Sequence, residues 1–491
     1  MARSSSLGRI IAFVALALVV LVAVLVSRAM MLKSKQLAVE QVEPIAVDAQ
    51  LAAEHLAGAI RFRTVSDDEA SAEAKAASAA ELEAFRGYLA QTYPQTHAKL
   101  GLEVVAGHSL LYKWQGRDAS LEPMLLAAHM DVVPADESDA AWTHPPFDGV
   151  ISDGSVWGRG AIDDKLCVIA ILEAVEHLLG EGFEPQRTVY LAFGHDEEVA
   201  GTGAAAIAEL LKSRGVKLDF VLDEGLPITV GIVPGIGPDV ALIGVAEKGY
   251  TTVQLTVETQ GGHSSTPPRQ TAIGIAAAAV QAIEQHPYPA RLSGVARDMF
   301  QWLAPEGAFA QRVIFANDWL FARLIEHILS QSPDTDALIR TTTAVTVMDS
   351  GVKDNVLPRS ARVLVNFRSL PGDDPEEIVE HVREAVDDER VKIELAGPAW
   401  GSDQPSPLDS REFERVNRAV REAYADTLVA PGLMLGATDA RRYGELTRNV
   451  FRFTPAPMTS QDVSRIHGVN ERVHVSDFVL SVALYVRLLG D

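Results

Sequence analysis

Four short stretches of this sequence gather imidazole and carboxylate groups. His129 and Asp131 directly follow the apolar run Met124-Leu125-Leu126-Ala127-Ala128. The pairs Asp163-Asp164, Glu197-Glu198 and Asp223-Glu224 come next along the chain. So many carboxylates packed together repel one another strongly unless cations sit among them. Zinc suits such a set, because it takes imidazole nitrogen and carboxylate oxygen and keeps one position for water in catalytic sites. Two metals about 3.5–4 Å apart share a bridging carboxylate and activate one water between them. The chemistry this favours is metal-assisted hydrolysis. Thiolate ligation is excluded in any cysteine-rich form, and so is an intrachain disulfide framework, since the chain has one cysteine, Cys167. Cys167 reads as a buried helix residue.

These groups need elements that bring them to one edge. Met124–Ala128, Thr188–Phe193 and Phe220–Leu222 are short continuous apolar runs, each ending in polar residues. Buried strands of a parallel sheet read this way, and their carboxyl ends form the expected active-site edge. Helical stretches at 165–179 and 204–212 alternate with them, which predicts a largely parallel α/β sheet covered on both faces. Residues 70–93 have helical spacing at Leu82, Phe85 and Leu89, the pattern of an amphipathic surface helix. Near residue 245 the pattern changes. Tyr250–Val257 alternates as a half-buried antiparallel strand does, followed by a helix at 270–285, strands at 341–348 and 361–367 and a helix at 375–387. This order predicts a separate α+β domain, and the α/β style returns after it. The division is 1–45 for a leader and linker, 46–245 and 398–491 for the catalytic domain, and 246–397 for the inserted one. Residues 290–336 read as a helical insertion in the latter. Its aromatics Phe300, Trp302, Phe309, Phe315, Trp319 and Phe321 suit either an apolar acyl pocket or ordinary helical core.

The chain has 491 residues, 47% of them hydrophobic and 22% charged, which excludes a mostly disordered chain. Lys and Arg number 43 against 66 Asp and Glu, a net charge of −23. No nucleic-acid partner is expected of so acidic a chain, because non-specific binding needs basic surface. Ile10–Val26 is an unbroken apolar run of 17 residues, preceded by Arg3 and Arg9 and followed by Arg28, Lys33 and Lys35. As a helix it spans about 26 Å, slightly less than the roughly 30 Å hydrocarbon core. It is longer than the apolar part of most signal peptides and ends without an Ala-x-Ala cleavage signal. An uncleaved membrane anchor with the catalytic part exported therefore fits better than secretion after cleavage.

Eight motifs in order then carry a resemblance. They are HMDVVP (129–134), GRGAIDDK (158–165), HDEEVAGTG (195–203), DEG (223–225), GGHSSTPP (261–268), NVLP (355–358), GATDAR (436–441) and HGVNE (467–471). The chain resembles the co-catalytic dinuclear zinc hydrolases that include carboxypeptidase S, aminoacylases, succinyl-diaminopimelate desuccinylase and glutamate carboxypeptidases. The run GATDARRYGELTRNVFRFTP (436–455) is most similar to carboxypeptidase S and to the N-fatty-acyl-amino-acid synthase/hydrolase branch, whose members tend to carry an N-terminal signal or anchor. The resemblance implies a zinc-exopeptidase-like catalytic domain with a mostly parallel central sheet. It also implies an inserted ferredoxin-like lid and dimerisation domain, and hence a homodimer.

The resemblance further implies two Zn2+ per subunit, with Co2+ or Mn2+ as substitutes. His129 and Glu224 would bind one zinc, Glu198 and His467 the other, and Asp163 would bridge both. At 223–225 the choice between Glu224 and Asp223 stays open, while Asp164 reads as a neighbour. Glu197 would be the general base. Asp131 would hydrogen-bond the ring of His129 and raise its basicity. His263 would reach an active site across the dimer interface and stabilise the oxyanion. Asn355 and Arg368 would hold the substrate, arginine suiting a terminal carboxylate because its fork binds bidentately. Gly436 and Arg441 would line the substrate pocket. His144 and His195 receive no chemistry. The expected activity is hydrolysis of an amide next to a free carboxylate, in a small peptide or an N-acyl amino acid. A catalytically inactive binding or adhesion module on the same fold is the alternative. It is disfavoured because Glu197 and all five ligand positions are present.

Overall fold

The computed structural model describes residues 3–40 and 42–490. Helix α1 (Arg3–Met31) leads the chain, and its large apolar side chains are exposed over most of its length. It runs past the apolar stretch because Ser27–Met31 contains no helix breaker. The stretch expected to be a linker has no regular structure but is fastened down. The Gln36 side-chain amide donates to Val429 O and accepts from Val429 N, both at 2.8 Å, as a neighbouring strand would. Arg487 donates to Glu43 O. Helices α2 (Ala49–Ile60) and α3 (Ala72–Thr92) follow, and α3 buries the expected Leu82, Phe85 and Leu89.

The large sheet begins with a hairpin, β1 (Gly101–Val105) and β2 (Ser109–Trp114), then β3 (Met124–His129). Next come α4 (Lys165–Gly180), β4 (Val189–Gly194), α5 (Thr202–Ser213), β5 (Val221–Thr229) and β6 (Val240–Glu247). The smaller sheet then interrupts it. That sheet is built from β7 (Gly249–Glu258), α6 (Ala272–Gln285), the helices α7 (Gly294–Leu303), α8 (Phe309–Phe315) and α9 (Asp318–Leu329), then β8 (Thr342–Ser350), β9 (Ser360–Ser369), α10 (Pro375–Val386) and β10 (Val391–Leu395). The chain returns through α11 (Arg411–Ala423), β11 (Leu428–Met434), β12 (Val450–Met458) and α12 (Val475–Gly490).

The eight-stranded sheet has the order β1-β2-β4-β3-β5-β12-β6-β11. Its centre is parallel: β3 pairs with β4 and β5, and β5 with β12. The β1–β2 hairpin forms one antiparallel edge, and β6 also pairs antiparallel with β5. Helix α4, with eleven buried residues from Lys165 to Leu178, packs against α12 on one face. Helix α5 covers part of the other, where Ile207 and Leu211 meet Leu125, Ala192 and Val221. The smaller sheet has the order β8-β9-β7-β10 and is antiparallel throughout, the ferredoxin-like arrangement. Strict alternation along β7 and β9 turns Val253, Leu255, Val257, Val363, Val365 and Phe367 to one face, against α6 and α10. Each such side chain fully buried is worth about 1.5–3 kcal/mol.

One helix of the 290–336 insertion departs from expectation. Helix α7 does not join the core of the smaller sheet. It packs on β11, the edge of the large one, and Val295, Met299, Trp302 and Leu303 enter that core. Trp302 meets Phe413 edge-to-face at 5.5 Å. An edge strand with one uncovered face gives an apolar helix its best burial, whichever sheet precedes it in sequence.

The crossings between the two sheets run side by side. Tyr250 N donates to Trp400 O and Trp400 N to Tyr250 O, each at 2.9 Å. Lys248 is buried and its Nζ donates to Ala337 O, Arg340 O and Thr342 Oγ1.

Candidate metal centre

Parallel pairing of β3 and β4 sets His129 beside Gly194, so the turn carrying Glu197 and Glu198 leaves the sheet next to His129. Asp163 lies in the turn that opens α4. His467 comes from the loop before Arg472–His474, with left-handed backbone at φ 60°. A non-glycine residue held there is typical of sites where the surroundings fix an unfavourable conformation for function.

The four side chains converge. Asp163 Oδ1 is 2.9 Å from His129 Nε2, and Asp163 Oδ2 is 3.0 Å from His467 Nε2. His467 Nε2 is also 3.2 Å from Glu198 Oε2. Ligand atoms of His129, Asp163 and Glu198 all lie within 4.8 Å of one another. Asp163 thus presents one oxygen to each imidazole, the position a bridging carboxylate needs. The His129 side chain is only 3% exposed and that of His467 is 51% exposed, so the centre opens to solvent on the His467 side.

Its charge balance asks for cations. Burial pushes the Glu224 carboxyl well above the usual range, reinforced by Asp163, Asp223, Asp164 and Glu197. Burial does the same to Glu197, with Asp439, Glu198 and Asp131 adding and His129 opposing. Asp223 is raised to about 6, chiefly by burial. Asp163 behaves oppositely: burial resists its ionisation, but hydrogen bonds from His129 and His467 hold it below the usual range. His467 is raised to about 10 by hydrogen bonds to Asp163 and Glu198. His129 is raised as well: burial opposes its charge, but hydrogen bonds to Asp131 and Asp163 outweigh it. Glu198 Oε1 and Asp223 Oδ2 are buried and without hydrogen-bond partners. An orphaned carboxylate oxygen in this setting fits a metal-binding set of hard nitrogen and oxygen donors.

At 223–224, Glu224 is the acid that burial and the charges of Asp163, Asp223 and Asp164 raise, whereas Asp223 accepts from Glu224 N at 2.9 Å through one oxygen and leaves the other orphaned. Asp164 Oδ2 accepts from His129 N at 3.1 Å, a bond that fixes the end of β3. Asp131 is fully buried. Its carboxylate lies 3.4 Å from His129 Nδ1, and that nitrogen meets Asp131 O at 3.0 Å. The same carboxylate accepts from Glu197 N at 3.1 Å and Glu198 N at 3.2 Å. Asp131 therefore positions the Glu197-Glu198 turn as well as the imidazole.

The remaining expected residues are placed elsewhere. His263 and Asn355 are exposed neighbours on a two-stranded ribbon, where Ser264 N donates to Asn355 O at 3.3 Å and Ser265 contacts His263 Nδ1. Neither makes a hydrogen bond or ion pair with the converged groups among the described residues. Gly436 lies half-buried after β11. Arg368 and Arg441 lie at the crossing between sheets, in a stack that sequence reasoning missed. Tyr250 and Trp400 rings stack at 4.9 Å and 17°. The Arg368 guanidinium sits 4.6 Å from the Tyr250 ring centre, and Arg441 4.7 Å from that of Trp400. Burial and the Arg441 charge lower the Arg368 pKa, so a nearby anion would favour its charged form. His195 meets Ser109 Oγ at 2.7 Å, and His144 packs against Trp157, both structural contacts.

Motif residues without an assigned role turn out to brace the loops. Glu471 is fully buried and pairs with Arg159 Nη1 at 2.5 Å. Its other oxygen accepts from Gly160 N, Ile162 N and Asp163 N at 2.8–3.2 Å. This locks the loop of His467 to the loop of Asp163. Lys165 is buried and donates to Ala59 O and Phe62 O, closing the end of α2. Asp439 is buried with both oxygens unpartnered and is raised to about 8 by burial.

Known proteins share this sequence and architecture. The model of peptidase family M20/M25/M40 matches residues 125–491. Probable carboxypeptidase S-like 2 of Dictyostelium discoideum is 40% identical over 467 residues, covering 93% of this chain and 89% of the relative. N-fatty-acyl-amino acid synthase/hydrolase PM20D1 of Xenopus tropicalis is 42% identical over 446 residues, 89% of this chain and 85% of the relative. Among solved structures, the M20 family metallo-carboxypeptidase Sso-CP2 from Sulfolobus solfataricus superposes with a TM-score of 0.64 at 18% identity, covering 90% of this chain and 99% of that one.

Proposed function

The chain belongs to peptidase family M20/M25/M40 and is a metal-binding hydrolase, and from that premise we propose that it cleaves an amide bond next to a free carboxylate using two zinc ions. The convergence of His129, Asp163, His467 and Glu198 carries this reading. His129 and Glu224 would hold one zinc, Glu198 and His467 the other, and Asp163 would serve both. Asp223, with its orphaned oxygen, is the alternative to Glu224. When bound, the metal pair supplies Lewis-acid polarisation of the carbonyl and lowers the pKa of water.

The protein's own residues do the rest. Glu197, adjacent in sequence to a ligand but outside the converged set, takes the proton from the attacking water. It returns that proton to the leaving nitrogen as the C–N bond breaks. Burial raises its pKa, which suits a group that must both accept and donate near neutral pH. Asp131 holds the turn so that Glu197 and Glu198 keep separate roles. Arg368 and Arg441 bind the substrate carboxylate from the crossing between the sheets. Asn355 joins them in binding substrate, Gly436 lines the pocket, and His263 reaches the oxyanion of a second subunit through a homodimer. The N-terminal helix anchors the chain in a membrane with the catalytic part exported.

The acyl side of the substrate is a peptide or a fatty acyl group, in keeping with the names of the relatives above. Rates on Gly-Leu-type dipeptides, N-acetyl and N-oleoyl amino acids, with and without a chelator, test the proposal. Turnover of at least one carboxylate-bearing class, abolished by the chelator and restored by zinc, is expected. No turnover of any by the zinc-loaded chain leaves an inactive binding module.

A further inference from the structure

Helices α8 and α9 display an apolar surface that the hydrolase site does not use. Phe309, Trp319, Leu320, Leu324 and Ile328 are 44–57% exposed, and Leu320, Leu324 and Ile328 recur every fourth residue along one face of α9. A contiguous exposed apolar face of this kind marks an interaction site. Its place in the molecule identifies the partner. The last turns of α1 dock here: Ala29 is buried and Leu21, Leu25 and Val26 are half-buried, while residues 22–24, 27, 28 and 30 stay exposed. Asn317, fully buried between α8 and α9, donates from Nδ2 to Leu25 O at 3.1 Å and accepts from Trp319 Nε1 at 3.3 Å. Arg28 Nε donates to Ala316 O at 3.0 Å.

The docked turns overlap the apolar run itself. Residues Leu21–Val26 belong to the continuous stretch Ile10–Val26, so α8 and α9 lie at the depth of the apolar segment, not beyond it. That stretch alone spans about 26 Å, a little less than the roughly 30 Å hydrocarbon core. A bilayer holding it therefore meets the face of α9 at its surface. The composition of the face agrees. A tryptophan with its N–H satisfied is suited to the interface, and aliphatic side chains at helical spacing suit burial beneath headgroups. Residues 28–39 carry Arg28, Lys33 and Lys35 and no acid, although the whole chain carries −23. Arg28 and Lys35 are held on this part of the body, by Ala316 O and the Trp302 ring, and basic residues beside an apolar face strengthen attachment to anionic lipid.

We propose that the exposed face of α8 and α9 is a membrane seat: it lies in the lipid–water interface beside α1 and fixes the catalytic body against the bilayer. The inference rests on the reading of α1 as an anchor. The test uses the full chain reconstituted in vesicles of phosphatidylcholine and phosphatidylglycerol, with a nitroxide label on Leu324→Cys, Val14→Cys or Val352→Cys. All three positions are exposed, and Cys167 is buried and leaves the added thiol as the labelled site. Collision with oxygen, which concentrates in lipid, is compared with collision with a water-soluble nickel chelate. The ratio at 324 and at 14 is expected to exceed that at 352 several-fold. A lipid-like ratio at 14 with a water-like ratio at 324 overturns the seat and leaves the anchor standing. A water-like ratio at 14 overturns the anchor and the seat together. Dipolar broadening at 324 that disappears on dilution with unlabelled chain assigns the face to a second copy and also overturns the seat.

Discussion

Glu471 lies outside the proposed ligand set but braces the loops that carry it. It fastens the Asp163 loop to the His467 loop through Arg159 and three backbone amides. Removing one partner of a buried ion pair costs about 3–5 kcal/mol, and supporting residues around a metal are typically worth 10–100-fold in affinity. Glu471→Gln is expected to weaken zinc binding by roughly that factor while Arg159 stays partly paired, measured by competition with a chromophoric chelator. Unchanged affinity contradicts the bracing role. The imidazoles set a pH signature. His467 is raised from about 6.5 when unfolded to about 10 in the metal-free fold. A raised value means its stabilisation of the metal-free chain is complete below the unfolded value and is lost as pH rises through the folded one. If His467 is a zinc ligand as proposed, zinc displaces that proton, so binding near pH 8 is expected to release it, read as a heat that depends on the buffer's ionisation enthalpy. A buffer-independent heat contradicts this. At this level much was legible in the sequence, because an apolar run ending in His or Asp says where a strand delivers its chemistry. Glu471 and Arg159 were visible as motif letters only: their pairing spans the chain from 159 to 471, and no local pattern reports it.

Elements were read well where burial is one-sided or complete. The strands β3, β4, β7 and β9 and helix α3 have the expected periodicity because each serves one core. The β1–β2 hairpin and β6 were not read from the sequence, and α7, read as part of the insertion in the smaller domain, packs on the large sheet. An amphipathic helix states how much it buries, not against which sheet. Trp302 and Trp319 separate the two readings of that aromatic segment. Trp302 is 8% exposed and packs on Phe413, whereas Trp319 is 57% exposed. Trp302→Ala is expected to destabilise the fold by about 3–5 kcal/mol and Trp319→Ala by far less, compared by thermal or urea unfolding. Equal small effects contradict a core role for α7. The crossing between sheets was not legible at all, because Tyr250 and Trp400 meet only through tertiary structure. A cation held on an aromatic face is worth about 0.5–2 kcal/mol. Trp400→Ala is therefore expected to raise KM for carboxylate substrates by roughly 2- to 30-fold, with kcat and zinc content little changed. An equal effect on amidated analogues contradicts placement of Arg441 as a carboxylate ligand.

At the level of the whole molecule, the acidic surplus divides into a solvated surface and a small buried group that needs cations. The single cysteine leaves nitrogen and oxygen donors to meet that need. The leader is part of the body: α1 docks on α8, and Gln36 completes the edge of the large sheet. The proposed anchor predicts a membrane-bound mature chain that retains Ile10–Val26, established by peptide mass mapping; a mature form beginning after Val26 contradicts it. The hydrolytic proposal stands most directly on one titration. The full chain, stripped of metal, is titrated with zinc while hydrolysis of an N-acyl amino acid or dipeptide is followed, beside Glu197→Gln. Activity of the unaltered chain should saturate at two zinc per chain, and Glu197→Gln should bind the same two while losing about 10²–10⁴-fold in rate. Full activity at one zinc, or wild-type turnover in Glu197→Gln, would contradict a two-metal site served by Glu197.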